Sequence, residues 1–478
     1  MANLEKQTIA KQSENFPEWY QDVVREAELA ESSEVRGCGI VRPYGLKIWE
    51  LIKAELSRRL EADGVENVYF PIFVPLENLE AEKEHVEGFA PELAIVTHAG
   101  GEELVNKLAI RPTSEAAMYK TYAKWIQSYK DLPLRLNQWA NVVRWEKRPR
   151  AFLRWSEFLW QEGHTAFATE EEARAEAAKM LGIYEDIYEF MAIPVFAGRK
   201  SEKEKFAGAV ETLTIEAIAK DGKAIQGATS HYLGTNFSQV FNVDYLGADG
   251  QKHLCHQNSW GLSWRAVGAV VMVHGDDNGL RLPPNIAPIQ IVVVPIYRDE
   301  EGRKKVLDYC GAVAKELNKK YRVKIDERES ATPGFKFNYW EVRGVPVRIE
   351  VGPKEVEAGQ VAIFRRDLNS RETVSRAELG GRLNRLLKEI HKNLYKQAAE
   401  FNKAHIYPIK NASEIDDRPG WFLASWSEDP ETEKELKEKY GVTARVLLPK
   451  SAEKKPKNKK CFVNGQPAKH DWLFAKSY

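Results

Sequence analysis

Cysteine is scarce: four occur in 478 residues, at Cys38, Cys255, Cys310 and Cys461, with no CxxC pair. That spacing excludes a disulfide framework and a complete cysteine metal site, and it fits a reducing compartment. Long apolar runs are missing as well, so no membrane span is expected. The opening MANLEKQTIAKQSENFPEWY lacks an apolar stretch and carries acids, unlike a signal or transit peptide. A cytoplasmic protein is expected. Net charge is absent too, because 70 Lys and Arg balance 70 Asp and Glu. This argues against a protein that coats nucleic acid by bulk charge, and any such contact must come from local patches. No internal repeat is found. What remains is a chain 43% apolar, ordinary for a globular protein and too long for one core. Two or three domains are expected.

Residues 44–60, YGLKIWELIKAELSRRL, space Ile48, Leu51, Ile52 and Leu56 as one helix face, and Gly64 follows. VENVYFPIFVP is β-branched and aromatic but holds Pro71 and Pro75. It is predicted as a strand at a sheet edge or interface, where a missing N–H is tolerated. LPLRLNQWANVVRWE and FLRWSEFLWQEGHTAF are two further strands joined by a basic bend. Thr169 and Glu172 form a capping box that opens an amphipathic helix running to about Met191. GLSWRAVGAVVMVHGDDNG is a glycine-punctuated apolar segment, and its HGDDNG reads as the turn ending a strand. Up to about residue 285 the pattern predicts an antiparallel sheet with helices packed on it.

LPPNIAP is the predicted linker. Beyond it, the strands IQIVVVPIY, VKIDER, VPVRIEVG and QVAIFRR combine with helices at 299–320 and from about Arg376, which predicts an α/β domain. In the tail, Asp429 and Pro430 open a short charged helix that Gly441 ends, and a lysine-rich loop, KSAEKKPKNKK, follows. The expected fold class is α+β, with domains at 1–285, 286–405 and 406–478.

One window concentrates charge. In VVRWEKRPRAFLRWSEFLWQEGH, Arg144, Lys147, Arg148, Arg150 and Arg154 crowd a bend where Glu146 is the one acid. Guanidinium is always charged and offers two parallel donors, which suits a polyphosphate. The spacing says more than the charge: Arg144-x-Glu146, a loop, then Arg154-x-x-x-Phe158-x-x-x-Glu162. Even spacing on a strand shares a face. Arg154, Phe158 and Glu162 are therefore predicted to line one wall, as phosphate clamp, plate for adenine, and acid for a metal or amine. From a basic turn alone, a solvated hairpin with a buried Phe is the plainer reading.

The full spacing resembles motif 2 of class II aminoacyl-tRNA synthetases. VENVYFPIFVP resembles motif 1, the dimer-forming strand, and NSWGLSWRAVG with Arg265 resembles motif 3. More narrowly, RPTSEA, FLWQEGHTAF, IQGATSHYLGTNF and LCHQNSWGLS resemble prolyl-tRNA synthetases of the archaeal and eukaryotic type. The likeness continues through PGFKFNYWEVRGVPVRIEVGPKEV to the final LFAKSY. It implies activation of L-proline with ATP and Mg²⁺, transfer to tRNA(Pro), and a homodimer. By resemblance, Arg144 and Arg265 are the catalytic residues. Arg144 would hold the proline carboxylate and α-phosphate, and Arg154 and the basic loop the outer phosphates. Phe158 would stack on adenine, with Arg265 on its other face or at the γ-phosphate. Glu146, Gln226 and Thr229 complete the ATP set. Thr113 and Glu115 would receive proline's ammonium, and Trp160, His164 and His231 would wall its ring.

The resemblance also sets expectations elsewhere. About ninety residues separate His164 from Cys255, too few to add an independent editing domain of roughly 100 residues to the sheet and helix there. A separate trans-editing deacylase is therefore an expected partner. The 286–405 unit resembles an anticodon-binding domain, with Glu341 and Lys354 as candidate tRNA contacts and Arg343, Arg348, Arg365 and Arg366 as weaker ones. In the tail, relatives often carry a four-cysteine zinc site; the matching places read Ser427, Thr432, Cys461 and Asn464. One thiol does not make a structural zinc site. The zinc site is expected to be lost while Trp426, Leu447 and Trp472 keep the fold closed, and Tyr478 is expected to fold back on the catalytic domain. Two rivals remain: a synthetase for threonine, glycine or histidine, and a non-catalytic tRNA-binding paralogue. Trp264 beside Arg265 is bulky, and a narrowed pocket with altered amino-acid preference is one consequence it suggests.

Overall fold

The computed structural model describes residues 9–81 and 93–478. The basic bend joins two strands, Leu134–Val143 and Glu157–Phe167, paired antiparallel from Leu134 with Ala166 to Val143 with Glu157. They belong to a seven-stranded sheet ordered Glu66–Asn67, Leu134–Val143, Glu157–Phe167, His256–Ser263, Ala224–Gly234, Glu211–Ile218 and Phe196–Arg199. Every neighbouring pair is antiparallel except the first. Helix Glu170–Phe190 crosses one face, opened by the Thr169–Glu172 capping box. Its Tyr184, Ile187 and Tyr188 join Ile215, Ile225 and Leu262 of the sheet in the main core.

The structure divides two predicted segments. VENVYFPIFVP is not one strand: Glu66–Asn67 edges the large sheet, whereas Phe73–Pro75 pairs with Glu102–Ile110 in a separate three-stranded sheet. Pro71 lies at the break, where an absent N–H interrupts any ladder. The turn at HGDDNG ends a helix, Arg265–His274, rather than a strand. Its valines carry strand propensity, but Ala266 to His274 are all buried, and burial on every side overrides propensity.

In the second unit, strands order as Val323–Ile325, Ile291–Pro295, Val347–Val351, Gln360–Arg365 and Ser370–Ser375. The first three are parallel and the last two antiparallel additions. Helices Glu300–Leu317 and Leu379–Ala404 cover the sheet with Val306, Val313, Leu383 and Ile390. A helix absent from the sequence reading, Pro333–Val342, starts at Thr332, whose hydroxyl accepts from the Phe335 N–H at 3.3 Å. LPPNIAP does not hang free, for Leu282, Ile286 and Ala287 are buried in the main core.

The third unit is a four-stranded sheet ordered Ile406–Pro408, Trp421–Trp426, His470–Ala475 and Thr443–Val446. Helix Pro430–Tyr440 runs from the Asp429 cap to Gly441, as the sequence pattern requires. Trp426, Leu447 and Trp472 are buried together with Leu436 and Phe474. Tyr478 does fold back: its hydroxyl donates to Asp221 at 2.6 Å and its N–H to the Ala224 carbonyl at 3.1 Å. Among the described residues, no helix is long and apolar enough to cross a membrane.

Candidate active site

The face of the large sheet opposite helix Glu170–Phe190 opens into a cavity of about 240 Å³. Arg144, one residue beyond its strand, donates from Nε to the Pro112 carbonyl at 3.0 Å. Its guanidinium lies 5.5 Å from the Phe158 ring centroid and 5.2 Å from that of Trp160. Even spacing thus delivers Phe158, Trp160, Glu162 and His164 to the same wall. Gln226 and Thr229 approach from the neighbouring strand, and Arg265 from the start of its helix, where its Nε donates to the Leu153 carbonyl at 3.2 Å.

At the polar end, RPTSEA forms the entry to helix Glu115–Trp125. Thr113 and Glu115 both line the cavity, and the threonine hydroxyl donates to the Glu115 carboxylate. Glu162 accepts four hydrogen bonds: the Ser114 N–H at 3.1 Å, Ser114 Oγ at 2.5 Å, Gln138 Nε2 at 3.0 Å and His164 Nε2 at 3.0 Å. Burial alone would raise its pKa, but these donors and the imidazole charge hold it below the usual carboxylate range. Burial alone would likewise lower His164, yet Glu115 and Glu162 lift it above the ordinary imidazole value. Glu115, Glu162 and His164 stand close enough to surround a cation. Glu162 and His164 are already committed to each other, which leaves Glu115 to meet a solute.

His231 is held from both sides, with Nδ1 2.9 Å from Thr212 Oγ1 and Nε2 3.0 Å from Thr229 Oγ1. Removal from bulk water, then the charges of Lys200, His164 and Arg144, push it down to about 3. It is a neutral imidazole with one N–H, so one threonine accepts and the other donates. Sequence reasoning missed Lys200, Glu204, Phe206, Thr212 and Trp260, which also line the cavity. Trp260 lies across Gly163, its partner in the ladder, where a Cβ would stand 2.1 Å from the ring.

Several predicted residues lie elsewhere. Arg154 is not on the strand, which begins at Glu157; it pairs with Arg150 through two backbone hydrogen bonds of 2.8 and 2.9 Å and is exposed. It stands outside the strand row of Phe158, near enough to Arg265 for the two charges to act on each other. Glu146 accepts from the Arg148 N–H at 3.2 Å within the bend. Neither lines the cavity wall. Trp264 does not narrow the cavity: it is 6% exposed and packs edge-on against Phe152 and Trp155, under the bend.

In the second unit, Glu341 closes helix Pro333–Val342, and Lys354 is exposed on Pro353–Ala358. The weaker candidates are engaged by carboxylates within the protein. Arg343 pairs with Glu28 at 2.6 Å, Arg348 with Glu350 at 2.8 Å, and Arg366 with Asp276 at 2.5 Å; all three are buried. Arg365 is taken up by Asp367 at 2.7 Å. In the third unit Ser427 Oγ donates to Cys461 Sγ at 3.4 Å. Thr432 Oγ1 accepts from Trp426 Nε1 at 2.7 Å, and Asn464 donates to Asp429 at 3.3 Å. Hydrogen bonds join the four zinc-site positions to their surroundings.

Comparison with known proteins agrees with this geometry. Residues 98–274 match the family model of the tRNA synthetase class II core domain (G, H, P, S and T), and 290–386 match an anticodon binding domain. The cavity-bearing antiparallel sheet is thus a class II synthetase core. Residues 411–478 match the C-terminal domain of prolyl-tRNA synthetase. The chain is 46% identical to a proline–tRNA ligase 2 of Bacillus cereus, covering 100% of both chains. It is 47% identical to proline–tRNA ligase of Clostridium novyi (strain NT), over 99% of this chain and 98% of that one. The chain belongs to the proline–tRNA ligase family.

Proposed function

We propose that this enzyme joins L-proline to the 3′ end of tRNA(Pro), with ATP as its magnesium complex. The proline carboxylate attacks the α-phosphate, an O–P bond forms, and diphosphate leaves with the broken bond's electrons. Prolyl-adenylate then passes its acyl group to the tRNA hydroxyl and releases AMP. The observation that carries this reading is that Thr113, Glu115, Arg144, Phe158, Trp160, His164, Gln226, Thr229, His231 and Arg265 line one cavity. Arg144 and Arg265 neutralise the charge that builds on the phosphate, and Arg144 also orients the carboxylate. Glu115 and Thr113 receive the ammonium, with Trp160, His164 and His231 around the ring. Phe158 backs the adenine, beside Gln226 and Thr229. Arg154 and the basic loop, outside the wall, hold the outer phosphates, and Glu146 in the same bend belongs to the ATP set.

Around that core we assign a catalytic domain at 1–285, an anticodon-binding domain at 286–405 with Glu341 and Lys354 toward tRNA, and a C-terminal domain at 406–478. We place the enzyme in the cytoplasm as a homodimer. Tyr69 and Phe73, 73% and 52% exposed beside the break at Pro71, are an apolar surface suited to a second subunit. The archaeal and eukaryotic-type label describes this domain pattern, not the source of the relatives. Ser427, Thr432, Cys461 and Asn464 offer one thiol among hydroxyls and an amide already hydrogen-bonded, which does not fit structural zinc.

The decisive test is amino-acid-dependent ATP–pyrophosphate exchange without tRNA across all twenty amino acids. Strong exchange with proline and weaker exchange with alanine is expected, since a methylene discriminates by only ~1–3 kcal/mol. No exchange from folded protein would favour a non-catalytic tRNA-binding role. We further propose that editing is left to a separate deacylase; hydrolysis of Ala-tRNA(Pro) by the purified chain alone would overturn that.

A further inference from the structure

Arg445 leaves its own sheet and enters the catalytic one. It stands on strand Thr443–Val446 and is 5% exposed. Its Nη2 donates to both Glu216 oxygens at 3.1 and 3.0 Å, and Nε adds a contact at 3.3 Å. Glu216 is fully buried, and its Oε1 also accepts from Lys200 Nζ at 3.0 Å and Thr214 Oγ1 at 3.1 Å. The remaining arm, Nη1, reaches Glu204 Oε2 at 3.4 Å, Thr443 Oγ1 at 3.2 Å and Ser477 Oγ at 3.4 Å. One guanidinium thus ties together the base of the catalytic sheet, the segment after Lys200, and the end of the chain.

Lys200 and Glu204 both line the active cavity. The segment they anchor continues to Phe206, whose N–H donates to Thr212 Oγ1 at 3.0 Å and whose ring centroid lies 4.8 Å from that of His231. Thr212 is the same residue that holds His231. The segment begins where the C-terminal domain docks: Leu447 and Arg199 exchange backbone hydrogen bonds of 2.9 and 3.0 Å. That approach needs Gly198, because a Cβ there would stand 2.1 Å from the Leu447 carbonyl oxygen.

Simple adhesion between domains does not explain the charges. Two carboxylates, Glu204 and Glu216, pair with two cations, Lys200 and Arg445, and the buried Glu433 lies close enough to act on both Arg445 and Glu204. Removing the arginine leaves a buried excess of negative charge beside the cavity. Lys200 is then drawn wholly to Glu216, and Glu204 loses its tether. Both changes fall on the wall next to His231.

We propose that Arg445 is a positioning residue for the amino-acid pocket: through Glu216 and Glu204 the C-terminal domain sets Lys200 and the segment to Phe206, and so takes part in proline recognition. The inference rests on the reading of this cavity as a proline-activating site.

The test is steady-state ATP–pyrophosphate exchange by the full chain as wild type, Arg445→Met, Arg445→Lys, Glu204→Gln and the Arg445→Met/Glu204→Gln pair. Arg445→Met should raise the KM for proline about tenfold, a usual coupling for residues sharing one ion network. The KM for ATP should stay near wild type. Arg445→Lys should recover part of the loss, because it keeps the charge without the fork. Glu204→Gln, on a segment partly open to water, should raise the proline KM by about threefold, and the double variant should fall short of the product. Wild-type KM values in folded Arg445→Met, equal rises for proline and ATP, or loss confined to kcat would overturn the proposal. Should Arg445→Met not fold, Glu204→Gln decides, and a wild-type proline KM there overturns it too. Absence of proline exchange by the wild type would instead sink the underlying assignment.

Discussion

Replacing Gly163 by alanine should disable the cavity while leaving every polar group in it unchanged. Gly163 faces Trp260 across the ladder, and an added Cβ would stand 2.1 to 2.2 Å from three ring carbons. Ordinary carbon contacts are about 3.5–4.0 Å, so the ring must retreat by roughly 1.5 Å. It has nowhere cheap to go. Trp260 is 2% exposed and belongs to the main core, and the strand carrying Gly163 is paired on both sides. Overpacking of this kind costs about 1–3 kcal/mol, and a rigid buried ring puts the cost near the top of that range. Gly163 also separates Glu162 from His164, both of which line the cavity. A shift near 1 Å in positioned groups costs on the order of 10²-fold in rate. Urea unfolding should therefore show a loss of about 3 kcal/mol, and proline-dependent pyrophosphate exchange a drop of about 100-fold in kcat/KM. Adding Trp260→Phe should return part of the stability by making room. A Gly163→Ala protein within about 0.5 kcal/mol of wild type would refute the reasoning, for the indole would not be pinned on that backbone.

Arg144→Ala should lose ~3 kcal/mol of transition-state stabilisation, about 100-fold or more in exchange rate, without unfolding. Arg144→Lys should not restore it, since the Nε bond to Pro112 and the planar fork are lost; full activity of either variant would argue against its place at the phosphate. The Glu162–His164 pair predicts a pH window. Glu162 is lowered from 4.5, so its contribution is present above 4.5 and lost as pH falls through the folded value. His164 is raised from 6.5, so its share is complete below 6.5 and lost as pH rises through the folded value. The stability gap between wild type and Glu162→Gln should be widest between pH 4.5 and 6.5 and narrow on the alkaline side; a gap flat across that range and above it would contradict the pairing. Elemental analysis should find no stoichiometric zinc, and Cys461→Ser should fold normally because Ser427 can donate to either side chain. One zinc per chain would overturn that assignment.

What the sequence made legible was local. The Thr169–Glu172 box and the Asp429–Gly441 helix are read within a few residues, because caps and turn formers act on their own backbone. The wall of Phe158, Trp160, Glu162 and His164 follows from a strand's period of two. Arg154 escaped that rule because the strand had not yet begun. What stayed hidden was pairing over distance. A charge looks the same in sequence whether water or a distant carboxylate answers it, so Arg343 and Arg366 read as weak candidates for tRNA until Glu28 and Asp276 were placed beside them, and nothing in the sequence marked Arg445 as the partner of Glu216. Lys200 is one of three lysines in KSEKEK, and only its burial separates it from Lys203 and Lys205. Glu162 carries the sharper lesson. An acid facing a cavity suggests a ligand, yet four internal donors already occupy it. Its bonds go to Ser114, Gln138 and His164, which leaves Glu115 as the acid proposed to meet the substrate. Chemistry was legible as residue type and spacing; the division of labour within it depended on which groups were already bonded.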